Sequence, residues 1–212
     1  MNKYKWQIIT IALAAIVVVF SIDKLFEKPV QQEVAQIPTE EVVINNIMTR
    51  NSVRTYTDQI ITPTQVETIL KAGMAAPTAA NKQPWEFYVV RDTSIIKQMV
   101  HVTKYSAPMN ESAQLAIIVC GVPSESFPVE PRYWVQDVSA ATENILLATH
   151  AMGLGAVWCG VYPGEDRVAA LRELLDVPER LVPFCIIMMG YPDGEQIVKD
   201  KWKPEKIHYI GK

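Results

Sequence analysis

The pattern of apolar and polar positions along the chain predicts helices and short strands that follow one another without strict alternation. Caps and apolar spacing predict helices beginning at Thr39 and at Thr62–Pro63, and further helices over residues 95–102, 132–152 and 168–175. Four apolar runs are typical of strands: WEFYVV, LAIIVCG, GAVWCGVY and VPFCIIMMG. This mixture predicts an α+β sandwich with one central sheet.

Two of the predicted helices have a well-defined apolar face. The segment from Arg132 to Met152 repeats apolar residues at steps of four and three, and Leu146 and Leu147 widen that face, which predicts burial on more than one side. The helix that begins at Thr62–Pro63 has a shorter face of the same kind. Its members are Val66, Ile69, Leu70 and Met74.

The amino terminus has a different composition from the rest of the chain. Residues 6–22 carry no charge and would span roughly 25 Å as a helix, close to the hydrocarbon thickness of a bilayer. We therefore expect residues 1–28 to form a membrane anchor, with a cleaved signal sequence as the alternative, residues 29–38 a linker and residues 39–212 the folded domain. Lysines are balanced on the two sides, and the short amino-terminal tail favours an extracytoplasmic domain.

Composition excludes several classes of partner. The net charge is −3 and the charged residues are scattered, so nothing indicates a nucleic-acid surface. Cys120, Cys159 and Cys185 each lie inside an apolar run without metal-ligand spacing. They are interpreted as reduced core thiols, and no metal site is expected.

The stretch RNSVRTY carries the first candidate chemistry. Arg50, Ser52 and Arg54 could all donate hydrogen bonds to one phosphate, because guanidinium groups and a hydroxyl suit its oxygens. A solvent-exposed turn with two arginines is the alternative interpretation.

Two further stretches are rich in small residues, and in the first of them these residues would let the backbone approach a flat ligand. In APTAANKQPW, Pro84 and Trp85 would fix the loop against the core. In GLGAVWCG, glycines surround a strand. A helix-to-strand connection and a helix stop followed by a buried strand explain these stretches equally well.

Taken together, RNSVRTY, APTAANKQPWEFYVV, GLGAVWCGVYP and the basic tail DKWKPEKI resemble the nitroreductase family of FMN-dependent oxidoreductases. The resemblance covers about residues 41–206. It implies a three-layer sandwich, a central mostly antiparallel sheet flanked by helices, and a homodimer with FMN at its interface.

The resemblance also implies a role for each matching position. Arg50, Ser52 and Arg54 would hold the phosphate and ribityl end of FMN. A second group would line the flavin from the other subunit: Pro77, Thr78, Ala79 and Asn81. A third would lie along the isoalloxazine ring: Trp158, Cys159 and Gly160. Lys201 and Lys203 fall where the family has basic phosphate ligands.

The activity implied is ping-pong hydride transfer from NAD(P)H, through flavin N5, to a nitroaromatic, quinone or similar small acceptor. Because the flavin carries the redox chemistry, no catalytic side chain is expected. The three histidines are interpreted as surface or helix-face residues: His101, His150 and His208. An outward-facing domain would need a donor other than cytoplasmic NAD(P)H.

Two alternatives to this activity remain open. One is a membrane-tethered flavin-binding module without catalysis. The other is a reductive dehalogenase of the iodotyrosine deiodinase type, in which a lid with Lys104, Tyr105 and Glu111 would bind the substrate zwitterion. The short lid segment and the loop APTAANKQPW both depart from the deiodinase pattern.

Overall fold

The computed structural model describes residues 38–103 and 107–211. The predicted anchor (residues 1–28) and the linker up to residue 37 lie outside the described residues, as do the lid residues Lys104 and Tyr105. Among the described residues, no helix is both long enough and apolar enough to cross a membrane.

The predicted elements appear in the expected order with small shifts at their ends, and a short helix over Ala107–Asn110 was not predicted. The helices are α1 (Thr39–Thr49), α2 (Pro63–Met74), α3 (Thr93–Gln98), α4 (Ala107–Asn110), α5 (Trp134–Ala151) and α6 (Glu165–Leu175). The strands are β1 (Trp85–Val90), β2 (Leu115–Gly121), β3 (Gly155–Gly160) and β4 (Val182–Gly190). Helix α6 starts three residues earlier than predicted, and a 3₁₀ turn over Pro131–Tyr133 precedes α5.

The four strands form one sheet in the order β1–β2–β4–β3, and every neighbouring pair is antiparallel. Alternate residues of each strand point to opposite faces. One face packs with residues of α2 and α5, and the other packs with residues of α3 and α6. The predicted three-layer α+β sandwich is therefore confirmed.

Helix α2 confirms its predicted start and most of its predicted buried face, with one error. Thr62 and Gln65 form a reciprocal capping box at its start, and Val66 and Ile69 are buried as predicted. The prediction that Met74 belongs to the buried face was wrong, since its side chain is 52% exposed. Gly73 is buried instead, because it allows close packing on α5: a Cβ there would lie 2.8 Å from Cγ1 of Ile145.

Helix α1 has no buried residue, although its apolar residues are regularly spaced. Its Asn46 side chain donates a hydrogen bond to the Leu147 carbonyl of α5 at 3.1 Å. Thr49 Oγ1 lies 2.9 Å from His150 Nε2. Polar contacts with α5 therefore position α1. Five apolar side chains of α1 are between 47% and 63% exposed: Val42, Val43, Ile44, Ile47 and Met48.

Candidate functional site

Residues Arg50–Thr57, which we call the arginine arm, run beside the edge strand β3. The Val53 amide donates a hydrogen bond to the Ala156 carbonyl at 3.0 Å, and Ser52 pairs with Ala156 in a parallel bridge. Further along, the Thr57 amide donates to the Tyr191 carbonyl at 2.9 Å. The arm is thus tied by backbone hydrogen bonds to β3 and to the residues that follow β4.

Two glycines make room for the apolar side chains of the arm. A Cβ on Gly155 would lie 2.6 Å from Cβ of Val53, and a Cβ on Gly190 would lie 2.7 Å from Cβ of Tyr56. Both distances are too short for real side chains, so glycine is required for this packing. The Tyr56 hydroxyl lies 2.7 Å from the Val53 carbonyl, and burial raises the pKa of this phenol.

The arm separates its apolar and polar side chains. Val53 is buried, whereas Ser52 and Arg54 on either side of it are exposed. In an extended segment, residues two apart lie on the same face. Burial of Val53 therefore directs Ser52 and Arg54 together towards the surface.

That surface contains a cavity of about 410 Å³, which we call the arm cavity. Its basic side chains come from distant parts of the sequence and outnumber the single carboxylate of Glu195. This excess of positive charge favours an anionic ligand. The lining residues are Arg50, Asn51, Ser52, Arg54, Glu195, Gln196, Ile197, Lys199 and Lys201.

Contacts with α5 and with the carboxy-terminal segment orient Arg50. Its Nε lies 3.2 Å from the Glu143 carboxylate, and the Lys201 ammonium donates to the Arg50 carbonyl at 3.3 Å. Because Glu143 engages Nε, the contacts described leave the terminal nitrogens of Arg50 for a ligand. Lys203 does not line this cavity and is exposed. Of the two predicted tail lysines, the structure brings only Lys201 to the arm.

His150 lies close to this group, which its sequence context did not indicate. Besides the contact with Thr49, it experiences the positive charge of Arg50. Desolvation first, and Arg50 second, lower the pKa of the His150 imidazole. The neutral form is therefore favoured beside the arm.

A smaller cavity of about 200 Å³ adjoins β3, and we call it the β3 cavity. Arg54 lines both cavities, and we call the two spaces joined in the sense that they share this side chain. The predicted residues Trp158, Cys159 and Gly160 all line the β3 cavity. Its other lining residues are Thr103, Met109, Val157 and Arg167.

Burial raises the pKa of the Cys159 thiol to about 11, so this side chain is neutral at physiological pH. Cys120 and Cys185 are also buried and free, which confirms the interpretation of reduced core thiols. Within the described part of the chain, no three His, Cys, Asp or Glu side chains come together in a way that could hold a metal ion.

The loop Pro77–Gln83 has an unusual backbone conformation. Ala80, Asn81 and Gln83 have φ angles of 51°, 54° and 52°, which residues other than glycine rarely adopt. Such conformations persist only when surrounding contacts determine them, and they are common at functional sites. The Thr78 hydroxyl accepts a hydrogen bond from the Gln83 amide at 3.1 Å, which helps to hold the loop.

Asp137 of α5 provides a second restraint on this loop. Its Oδ1 accepts a hydrogen bond from the Ala79 amide at 3.0 Å, and the residue is only 5% exposed. Its other oxygen, Oδ2, is buried and has no hydrogen-bond partner among the described residues. Sequence analysis missed Asp137, although an acidic residue next to the apolar face of a buried helix is a detectable signal.

The predicted residues do not all meet in one place. Those of the arm and of β3 line the two joined cavities together with Lys201. None of the four loop residues Pro77, Thr78, Ala79 and Asn81 lines either cavity. In the lid region, the carboxylate of Glu111 lies 3.5 Å from the Lys97 ammonium.

Residues 47–117 and 104–191 match the sequence profile of the nitroreductase family. The chain belongs to this family. This membership accounts for the joint presence of the arm, the small-residue loop and the β3 segment.

Similar proteins agree with this placement. A protein of Archaeoglobus fulgidus named "Putative NADH dehydrogenase/NAD(P)H nitroreductase" is 46% identical over 172 residues, which are 79% of this chain and 97% of that protein. A crystal structure from Bacteroides thetaiotaomicron with the same description has a TM-score of 0.74 at 43% identity, covering 79% of this chain and 96% of that one. These similarities confirm the nitroreductase fold.

One solved relative was determined together with FMN. It comes from Desulfovibrio desulfuricans, is 29% identical and has a TM-score of 0.67. The similarity covers 83% of this nitroreductase-family chain and 98% of the relative.

Proposed function

We propose that this nitroreductase-family chain is an FMN-dependent oxidoreductase that passes electrons from NAD(P)H to a nitroaromatic, a quinone or a similar small acceptor. The observation that carries the proposal is the convergence of Arg50, Ser52, Arg54 and Lys201 on one cavity. Lys201 lies 151 residues after Arg50 in the sequence, yet it lines the same cavity as the three arm residues.

The donor set of the arm cavity fits the phosphate of FMN. The residues that line it supply two guanidinium groups, two ammonium groups and the Ser52 hydroxyl, against a single carboxylate. Charge-assisted hydrogen bonds from such groups are the strong contacts by which proteins hold phosphate. A bound dianion would also offset the mutual repulsion of Arg50, Arg54, Lys199 and Lys201.

The β3 cavity fits a place beside the ring of the same cofactor. It adjoins the arm cavity at Arg54, and Trp158, Cys159 and Gly160 form part of its wall. We assign Arg50, Ser52, Arg54 and Lys201 to the phosphate and ribityl end and the β3 residues to the ring, with Arg54 reaching both because it lines both cavities. Lys203 remains a weaker candidate, because the structure does not place it at the arm cavity.

Bound FMN would supply hydride and electron transfer. The protein's own residues would then bind the cofactor, orient it and exclude water from it. Glu143 orients Arg50 through its Nε, and the burial of Val53 orients the arm as a whole. Cys159 stays protonated because of its raised pKa and is not a nucleophile. No side chain of the described residues is assigned as a catalytic acid or base.

The proposal includes a homodimer in which Pro77, Thr78, Ala79 and Asn81 of one subunit line the flavin held by the other. Two features of the single chain support this. The loop is strained and well restrained but does not line either cavity of its own chain. Helix α1 and the carboxy-terminal segment expose many large apolar side chains, such as Ile44 and Trp202. We expect a dimer with α5 in its interface. Light scattering measures the mass of the assembly, and a monomer that retains FMN would contradict this part.

A membrane tether formed by residues 6–22 is also part of the proposal and rests on composition alone. If the tethered domain lies outside the cytoplasm, as the short amino-terminal tail favours, a quinol or a partner flavoprotein would replace cytoplasmic NAD(P)H as the physiological donor. A topology reporter fused after residue 212 tests the orientation. A cytoplasmic signal would favour NAD(P)H as the direct donor.

The decisive experiment uses the full-length chain purified in mild detergent. We expect a yellow protein with FMN absorbance that NADH or NADPH bleaches anaerobically, and that a nitroaromatic or quinone reoxidises. Steady-state rates should give the parallel double-reciprocal lines of a ping-pong reaction. Flavin that binds but accepts electrons from neither nucleotide would favour a non-catalytic module or another donor, and a colourless protein that does not bind added FMN would refute the proposal.

A further inference from the structure

Arg167 is a second arginine at the β3 cavity, and the functional assignment above does not use it. It extends from α6, and its Nη1 donates to the Gly160 carbonyl at 3.3 Å. Arg167 and Arg54 both line this cavity, and its lining includes no Asp or Glu. Cys159 does not supply a negative charge there either, because its pKa of about 11 keeps the thiol protonated.

The start of α6 leaves room for Arg167 in this position. Gly164 occupies the position before the helix, where Ser, Thr, Asp or Asn would ordinarily cap it, and no side chain caps the helix here. A Cβ on Gly164 would lie 2.6 Å from Nη2 of Arg167, and closer still to its Nε. The arginine therefore lies across the backbone of Gly164, in space that a capping side chain would fill.

The cavity contains two positive charges that the described contacts do not neutralise. Arg54 donates a hydrogen bond to the Ser52 carbonyl, and Arg167 donates one to the Gly160 carbonyl. Neither arginine forms an ion pair with another described side chain. Like charges that border one space repel each other, and a negative charge that enters the space offsets this unfavourable energy. The volume of about 200 Å³ is below the roughly 300–1,000 Å³ of pockets that enclose a whole ligand, so this space takes one edge of a larger molecule.

We propose that Arg167 acts together with Arg54 to stabilise negative charge at the edge of the flavin ring that enters the β3 cavity. This inference rests on the proposed function. Uptake of a hydride, which is two electrons and one proton, would leave the bound ring with one negative charge, so such a pair would favour binding of the reduced state over the oxidised state. Arg167 thereby raises the reduction potential of the bound cofactor, and Gly164 keeps its guanidinium in place.

The test is a redox titration of the full-length holoprotein with a reference dye, followed by flavin absorbance. Arg167→Gln should lower the preference for reduced over oxidised FMN about tenfold, which is ~30 mV for a two-electron couple. Affinity for oxidised FMN should change much less, because the phosphate contacts remain. Arg167→Lys retains the charge and should recover most of the potential.

Two further variants separate this role from a general effect of charge or packing. Gly164→Ala should shift the potential in the same direction as Arg167→Gln, because it displaces the guanidinium without removing it. Arg180→Gln removes an exposed charge that pairs with Glu86 and does not line the β3 cavity, so it should leave the potential unchanged.

An Arg167→Gln protein that binds FMN and has the wild-type potential would overturn the inference and leave the proposed function intact. An equal shift in Arg180→Gln would also overturn it, because charge anywhere on the surface would then suffice. Failure of the wild-type protein to bind FMN would instead refute the proposed function itself, and this is measured first.

Discussion

Val53 packs directly against the backbone of Gly155, and this contact holds the arginine arm beside β3. No side chain fits between them, since a Cβ on Gly155 would lie 2.6 Å from Cβ of Val53. The neighbouring residues Ser52 and Arg54 are consequently held at the surface. A glycine in a strand thus determines where a proposed phosphate-binding segment lies.

Gly155→Ala should destabilise the protein by about 1–3 kcal/mol, because the added methyl group forces the arm away from the sheet. Denaturant unfolding of the apoprotein measures this change. The matched control is Gly160→Ala at the other end of β3, where a Cβ would meet nothing within 4 Å. Equal stability of the two variants would contradict the proposed packing constraint.

Replacing Arg50 and Arg54 together by alanine should weaken FMN binding by at least 100-fold while the fold is retained. Hydrogen bonds to charged groups contribute roughly 1.5–3 kcal/mol each, and the two side chains form much of the charge of the arm cavity. Calorimetric titration of the apoprotein with FMN measures the loss. A double variant that purifies yellow with wild-type affinity would refute the phosphate assignment, and Arg132→Ala serves as an exposed control outside the cavity.

Asp137→Leu should lower the free energy of unfolding by about 1–3 kcal/mol, because it leaves the Ala79 amide without its acceptor. It should also expose Pro77–Gln83 to proteolysis. Asp137→Asn retains an acceptor oxygen and should cost less. Thr142→Val, at another buried polar position of α5, controls for loss of stability without loss of the loop contact. Equal protection of the loop in Asp137→Leu and Thr142→Val would show that Asp137 does not restrain it.

The lowered pKa of His150 predicts a pH dependence of stability. Below the ordinary pKa of 6.5, the unfolded chain takes up a proton on this residue more readily than the folded chain does. The contribution of neutral His150 to the free energy of unfolding is therefore fully present above pH 6.5, and it is lost as the pH falls towards the folded-state pKa. His150→Gln should unfold with a weaker pH dependence than wild type between pH 7.5 and 5.5, whereas His101→Gln, at an exposed position, should behave as wild type.

The element order and the packing layers could be predicted because they depend on local patterns. The predicted structures are adopted by the cap at Thr62–Pro63, the run from Leu115 to Gly121 and the apolar face of α5. Met74, the last residue of α2, was assigned to the wrong side because helix periodicity alone does not show which positions a neighbouring element covers.

The site could be predicted only in part. The arm and the β3 residues were recognised through their resemblance to a family, and the structure brings both to the joined cavities. Glu143, Asp137 and Arg167 act through contacts between residues far apart in the chain or through the shape of a glycine turn. The contacts of Glu143 and Arg167 leave no periodic signal in a single sequence, whereas Asp137 could have been noticed as an acidic residue beside the apolar face of α5, although its partner in the loop could not.

The exposed apolar side chains of α1 have a consequence for how firmly the cofactor is retained. This helix ends at Thr49, directly before Arg50, and polar contacts rather than a buried face hold it on its own subunit. If a second copy covers α1, each subunit stabilises the phosphate ligands of the other, and association and flavin uptake become thermodynamically linked. Dilution would then release FMN, so the fraction of loaded protein would fall with protein concentration even at a fixed excess of flavin.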